Sequence, residues 1–166
     1  MGQGVVDAVT AVRAPEPARL LHDEVHDTCA SPDVLCVQEL LSRDAQTFFD
    51  GVGKERFVAR FRDHNRPSFR TATMRGSGLG IASRAPLLGP SVRPYAPRPV
   101  GWDKLARKGM LHAQVSLESG PVIDVLNTHL QSGYDDGAIA VRAVQLEDLG
   151  RALREVGSDD RPFIVC

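Results

Sequence analysis

Hydrophobic and polar positions divide the chain into short blocks, each with the period of a helix or of a strand. Leu21, Val25 and the Thr28–Cys29 pair share one helical face behind Pro15 and Pro17, which predicts a helix over 18–28. Ser31, Pro32 and Asp33 break it. The compact apolar run at 34–38 predicts a strand buried on both faces. Residues 42–51 read as a short helix with Ser42 as its cap and Phe48 facing inward. Segments 57–61 and 68–74 read as strands paired around a turn at 63–67, and 79–83 as a further strand after the joint at 76–78. Five prolines at 86, 90, 94, 97 and 99 predict one long extended loop over 84–102. Leu111, Ala113, Val115 and Leu117 alternate with His112, Gln114, Ser116 and Glu118, the pattern of a half-buried strand, and 122–128 returns as its partner after Ser119 and Gly120. Residues 139–156 give the strongest helical period, with a stripe of Leu146, Leu149, Leu153 and Val156 and a stop at Gly157. Residues 163–166 read as a buried strand.

This order of helices and strands predicts an α/β layered sandwich built on a mixed sheet. Residues 1–14 show no clear period and are read as a leader without clear structure; 15–166 form the domain. An apolar fraction of 42% with 25% charged residues describes a globular chain able to bury a core. The net charge of −1 gives no global field for nucleic acid or anionic lipid, so any phosphate recognition is local. No signal peptide or membrane-spanning run is visible, and Cys29, Cys36 and Cys166 lack metal-ligand spacing.

Candidate chemistry gathers at strand ends. Glu39 follows the apolar run at 34–38, where a carboxylate escapes the core by entering the crevice beyond the strand. One carboxylate with open positions is how proteins commonly hold Mg²⁺. His129 ends the strand at 122–128, placed to donate to a phosphoryl oxygen. Asp103 and Lys108 lie on a loop before a strand and can pair, with the lysine reaching toward a phosphate. Arg142 and Gln145 lie three apart on the strongest helix, with Gln145 turned to sheet or loop backbone. Arg56, Arg60, Arg62, Arg66, Arg70 and Arg75 read as the solvated faces of amphipathic strands. Each of these features alone also fits an ordinary polar surface.

Five fragments occur in order: 33–39 (DVLCVQE), 78–84 (GLGIASR), 108–111 (KGML), 127–131 (NTHLQ) and 141–146 (VRAVQL). Together they resemble the endonuclease/exonuclease/phosphatase superfamily, and the stretch from Asp103 to Gly109 with Thr128–Gln131 is similar to its neutral sphingomyelinase branch. The resemblance implies a four-layer α/β sandwich and Mg²⁺-dependent cleavage of a phosphodiester by water. Glu39 matches the metal-binding glutamate. His129 matches the histidine on the scissile phosphate. Asp103 and Lys108 match a loop pair that supports hydrolysis, and Asn127, Arg142 and Gln145 are structural residues near the site. The implied substrate is sphingomyelin or a related phospholipid, giving ceramide and phosphocholine, with membrane contact only through that substrate. A nuclease or another phosphodiesterase of the superfamily is the alternative, disfavoured by an aromatic content of 5%. The family's first-strand asparagine, its Gly-Asp-x-Asn segment and its Asp-His pair with the general base are not matched. The chain is therefore expected to be a portion of the domain without useful activity, a non-catalytic product or interaction module being the further alternative.

Overall fold

The computed structural model describes residues 8–10, 32–51, 54–63, 67–68, 73–74, 76–118, 120–157 and 161–166. The helix expected over 18–28 lies outside them. Two four-stranded sheets carry the fold. The first has the order β1 (Ala8–Thr10), β2 (Val34–Val37), β6 (Gly80–Ser83), β3 (Ala59–Arg62). The second has the order β10 (Phe163–Val165), β9 (Val122–His129), β8 (Gly109–Ser116), β7 (Leu87–Pro94). Both are mixed: β1 runs parallel to β2 and β10 parallel to β9, and the remaining pairs are antiparallel. A short pair, β4 (Pro67–Ser68) and β5 (Thr73–Met74), stands apart.

The sheets pack face to face. Val34, Cys36, Leu79 and Ile81 meet Leu111, Ala113, Val115, Ile123 and Val125 in the central core. Alternation along β2 sends Leu35 the other way, onto Phe49 of helix α1 (Arg43–Gly51) with Leu40, Phe57 and Ala82. Alternation along β8 and β9 likewise sends Met110 and Leu126 toward Ala152 of helix α2 (Asp136–Val156) and Tyr95. The result is a four-layer α/β/β/α sandwich, with β2 buried on both faces as its apolar run requires.

Several expectations are corrected. Ala8–Thr10 is strand β1, so that part of the segment read as a leader is structured. Ser42 caps α1 by accepting a 3.0 Å bond from the Ala45 amide, but Phe49 is the buried aromatic and Phe48 is only partly covered. β3 pairs with β6, because a strand buried on all sides needs a neighbour at each edge; β4 and β5 pair with each other. The proline-rich loop contains β7. Proline is tolerated there because β7 is an edge strand and Pro90 falls in the register shift between Leu88 and Ser91. On α2 the buried residues are Ala138, Gln145, Asp148 and Ala152, whereas Leu146 is half exposed. Small residues let the helix approach the sheet closely, and the polar ones meet loop backbone. β10 is an exposed edge strand, with Phe163 and Val165 open to solvent.

Candidate functional site

β2 and β9 lie in different sheets, and two side chains stitch their ends together. Asn127, fully buried, donates through Nδ2 to the Val37 carbonyl (2.8 Å) and the Gly80 carbonyl (2.9 Å). Gln38 donates in return to the Thr128 carbonyl at 2.6 Å. These bonds set the next residues of each strand, Glu39 and His129, side by side. Glu39 adopts φ 60°, a left-handed conformation uncommon for a residue with a Cβ. The Leu40 amide donates to the Gly78 carbonyl (2.8 Å), fixing this sharp turn.

Glu39 Oε1 stands 3.7 Å from His129 Nε2, too far for a hydrogen bond. Burial and the neighbouring Lys108 ammonium push the His129 pKa below its ordinary value, more than Glu39 and Asp103 raise it. The imidazole is therefore neutral at neutral pH, and its contact with Glu39 is not an ion pair. Lys108 Nζ lies 3.1 Å from His129 Nε2 and 3.2 Å from Asp103 Oδ1. Its side chain is almost wholly buried, which lowers its pKa, while Asp103 opposes that shift. Burial would raise the Asp103 pKa, but bonds from the Ser132 amide (2.6 Å) and hydroxyl (2.8 Å), together with Lys108, hold it below the usual carboxylate range.

Helix α2 braces this arrangement. Gln145 Oε1 accepts from the Gln131 amide at 2.7 Å, and Arg142 donates to the Gln131 and Gly133 carbonyls at 2.7 and 3.0 Å. Gln131 in turn accepts from the Val100 amide and donates to the Val100 carbonyl. Support thus runs from α2 through Gln131 and Ser132 to Asp103, then to Lys108 and His129. All the site residues singled out in the sequence belong to this one assembly. Sequence reasoning missed the roles of Gln38, Ser132 and Gln131, although Gln38 and Gln131 lie inside the fragments that carried the resemblance. It also missed Tyr95, whose hydroxyl lies 2.6 Å from Thr128 Oγ1; that atom donates onward to the Gly109 carbonyl.

Beside Lys108 opens a small cleft of about 170 Å³ lined by Asp63, Ser77, Val92, Pro94 and Arg107. Among the described residues no three His, Cys, Asp or Glu side chains gather as a metal-holding group. The Glu39 side chain is nonetheless half exposed and its carboxylate forms no hydrogen bond among the described residues, whereas Asp103 is already committed to Ser132 and Lys108. This donor set fits a magnesium ion held by one carboxylate, with oxygen from substrate and water completing its shell. Of the six arginines at 56–75, Arg62 is tied to Asp50 through two 2.8 Å bonds and Arg60 to the Phe57 carbonyl, while Arg66, Arg70 and Arg75 lie outside the described residues.

A four-layer sandwich with polar groups meeting at the paired strand ends defines an α/β fold that places its site between two sheets. The chain belongs to the endonuclease/exonuclease/phosphatase family, whose model matches residues 6–166. Its fold is similar to that of sphingomyelinase C from Streptomyces griseocarneus (TM-score 0.72, 18% identity, 86% of this chain and 54% of that one). It is also similar to a double mutant of beta toxin from Staphylococcus aureus with bound magnesium ions (TM-score 0.73, 16% identity, 86% and 54%). Truncated TDP2 from Caenorhabditis elegans matches with TM-score 0.57 and 18% identity over 84% and 51%. The chain spans about half the length of these solved structures. No curated protein sequence matches it. No helix of the described residues is long and apolar enough to cross a membrane.

Proposed function

We propose that the chain carries the Glu39–His129–Lys108–Asp103 portion of a phosphodiester hydrolase site of sphingomyelinase type. The observation that supports this is the placement of His129 within 3.7 Å of Glu39 and 3.1 Å of Lys108, with Asp103 3.2 Å behind the lysine. Magnesium on Glu39 would offset negative charge on the phosphoryl group. His129, neutral, donates a ring N–H to a phosphoryl oxygen, while Lys108 adds positive charge from a dry position where it counts more than in water. Asp103 keeps Lys108 charged and in place. His129 is a poor base here, because its depressed pKa and its contact with Lys108 both weaken its hold on a proton. Without a general base, which alone is worth about 10²–10⁴-fold, turnover by these residues is slight.

A phospholipid diester is favoured over a nucleic acid because Arg60 and Arg62, within the arginine-rich stretch, bond within the chain. The test pairs two measurements in excess Mg²⁺. Calorimetry should show phosphocholine binding more tightly than a dinucleotide, with the binding lost in His129→Ala; equal binding by that variant would remove the site assignment. Hydrolysis of sphingomyelin and of a chromogenic diester should stay near background. Robust turnover abolished by Glu39→Ala would show instead that these residues suffice as a working site.

A further inference from the structure

Beside the site, two loops display the most exposed aromatic side chains described. Trp102, on the 3₁₀ turn Gly101–Leu105, is 89% exposed; Tyr134, on the loop before α2, is 94% exposed; Leu105 is 50% exposed. These loops are braced. Ser132 donates twice to Asp103, Gln131 bonds both polar groups of the Val100 backbone, and Arg142 holds the Gly133 carbonyl. Trp102 adjoins Asp103, and Tyr134 lies two residues beyond Ser132, so both tips stand on the frame that orients Lys108.

The charge around them is mixed. Arg98, Lys104 and Arg107 are exposed and form no ion pair among the described residues. Asp103 and Lys108 neutralise each other; Asp135, which caps α2, Asp136 and the half-exposed Glu39 are the opposing carboxylates. Indole and phenol rings combine an apolar body with a polar edge and favour the boundary between water and lipid. Apolar tips on two separate loops do not make the continuous buried core of a protein interface, which covers about 800 Å² per partner. A fluid headgroup layer accepts separate tips.

We infer that this face docks on a phospholipid bilayer, with Trp102, Leu105 and Tyr134 entering the headgroup layer and the three free cations strengthening contact when anionic lipid is present. The inference deepens the phosphodiester reading and rests on it for the purpose of docking, which is to bring the site to a lipid phosphodiester; binding itself requires no turnover.

Trp102 is the chain's single tryptophan, so its emission reports this surface alone. The 166-residue chain is mixed, without Mg²⁺, with vesicles of phosphatidylcholine alone or with added phosphatidylserine. The emission should move to shorter wavelength, brominated acyl chains should quench it, and phosphatidylserine should lower the lipid concentration required. In co-sedimentation, Trp102→Ala should bind vesicles about 10- to 100-fold more weakly and Tyr134→Ala several-fold more weakly, both with unchanged circular dichroism. Emission indifferent to vesicles, or co-sedimentation unchanged in both variants, would overturn the proposal. So would a blue shift that depends on protein concentration without lipid, which marks contact between copies of the chain. Vesicle binding that survives where Mg²⁺-dependent phosphocholine binding fails would leave docking standing and remove the hydrolytic reading. The reverse result would do the opposite.

Discussion

Glu39 gives up backbone comfort for position. At φ 60° a side chain with a Cβ is strained by about 1–2 kcal/mol, and such strain persists where surrounding bonds enforce it. Here the Leu40–Gly78 bond and the Gln38–Thr128 bond do so. Glu39→Gly should therefore raise the unfolding free energy by about 0.5–1 kcal/mol in urea, the relief of strain exceeding the added freedom of the unfolded chain, while Mg²⁺-dependent phosphocholine binding disappears. A loss of stability would mean that the carboxylate itself holds the fold. The sequence singled out Glu39 and His129 because each stands at the polar end of an apolar strand run. It did not reveal the turn between Gln38 and Leu40, because left-handed geometry leaves no mark in the residue type. Nor did it reveal that Asn127 ties the two sheets: a buried asparagine in a strand shows its partners only when the facing sheet is known.

The strand ends hold this geometry through close backbone contacts. Gly78 has φ 69°, and a Cβ there would lie 2.7 Å from Leu41 Cδ2 and 3.0 Å from the Leu40 amide nitrogen. Gly78→Ala should destabilise the chain by about 1–3 kcal/mol, seen as an earlier urea midpoint, and should weaken phosphocholine binding by displacing the Glu39 turn. Unchanged binding in a folded variant would detach Glu39 from that turn. The amphipathic β8–β9 hairpin was legible from its alternation and α1 from its cap, because local period and local bonding decided them. β7 was hidden by its prolines, which edge position and a register shift make harmless. The stripe on α2 held for Leu149 and Leu153, which pack beside Ala152, but Gln145 and Asp148, not Leu146, complete the inward face; Asp148 accepts from the Ala96 amide at 3.2 Å, so the helix packs against loop backbone as well as apolar surface.

Across the whole molecule, buried charge sets the response to acid. Asp124, nearly inaccessible, accepts from Arg161 Nε at 2.9 Å and pairs with His112 Nε2 at 2.8 Å; burial would raise its pKa, but these bonds lower it on balance. Asp103 is lowered likewise, against its own burial. Both therefore contribute stability that is present above their unfolded value of 3.8 and lost as pH falls through their folded values. His129 acts earlier: burial, aided by Lys108, depresses its pKa below 6.5, so protons favour the unfolded chain once pH drops beneath that value. Urea unfolding across pH should lose stability in two stages. His129→Gln should remove the upper one, and Asp124→Asn should shrink the lower one while costing about 1.5–3 kcal/mol at neutral pH. One stage in the unsubstituted chain, or no effect of His129→Gln, would contradict the neutral imidazole.

The layered class was readable from the order of elements. The packing of the two sheets was not, since it depends on which face of each strand meets the other. That packing brings Glu39 within 3.7 Å of His129, and the imidazole would report directly on the site proposed there. Its ring resonances, followed by NMR, should shift when Mg²⁺ and phosphocholine are added together, much more than with either alone, and the joint effect should vanish in Glu39→Gln. A joint shift of equal size in Glu39→Gln, or a ring indifferent to both additions, would contradict a shared metal-assisted phosphoryl site.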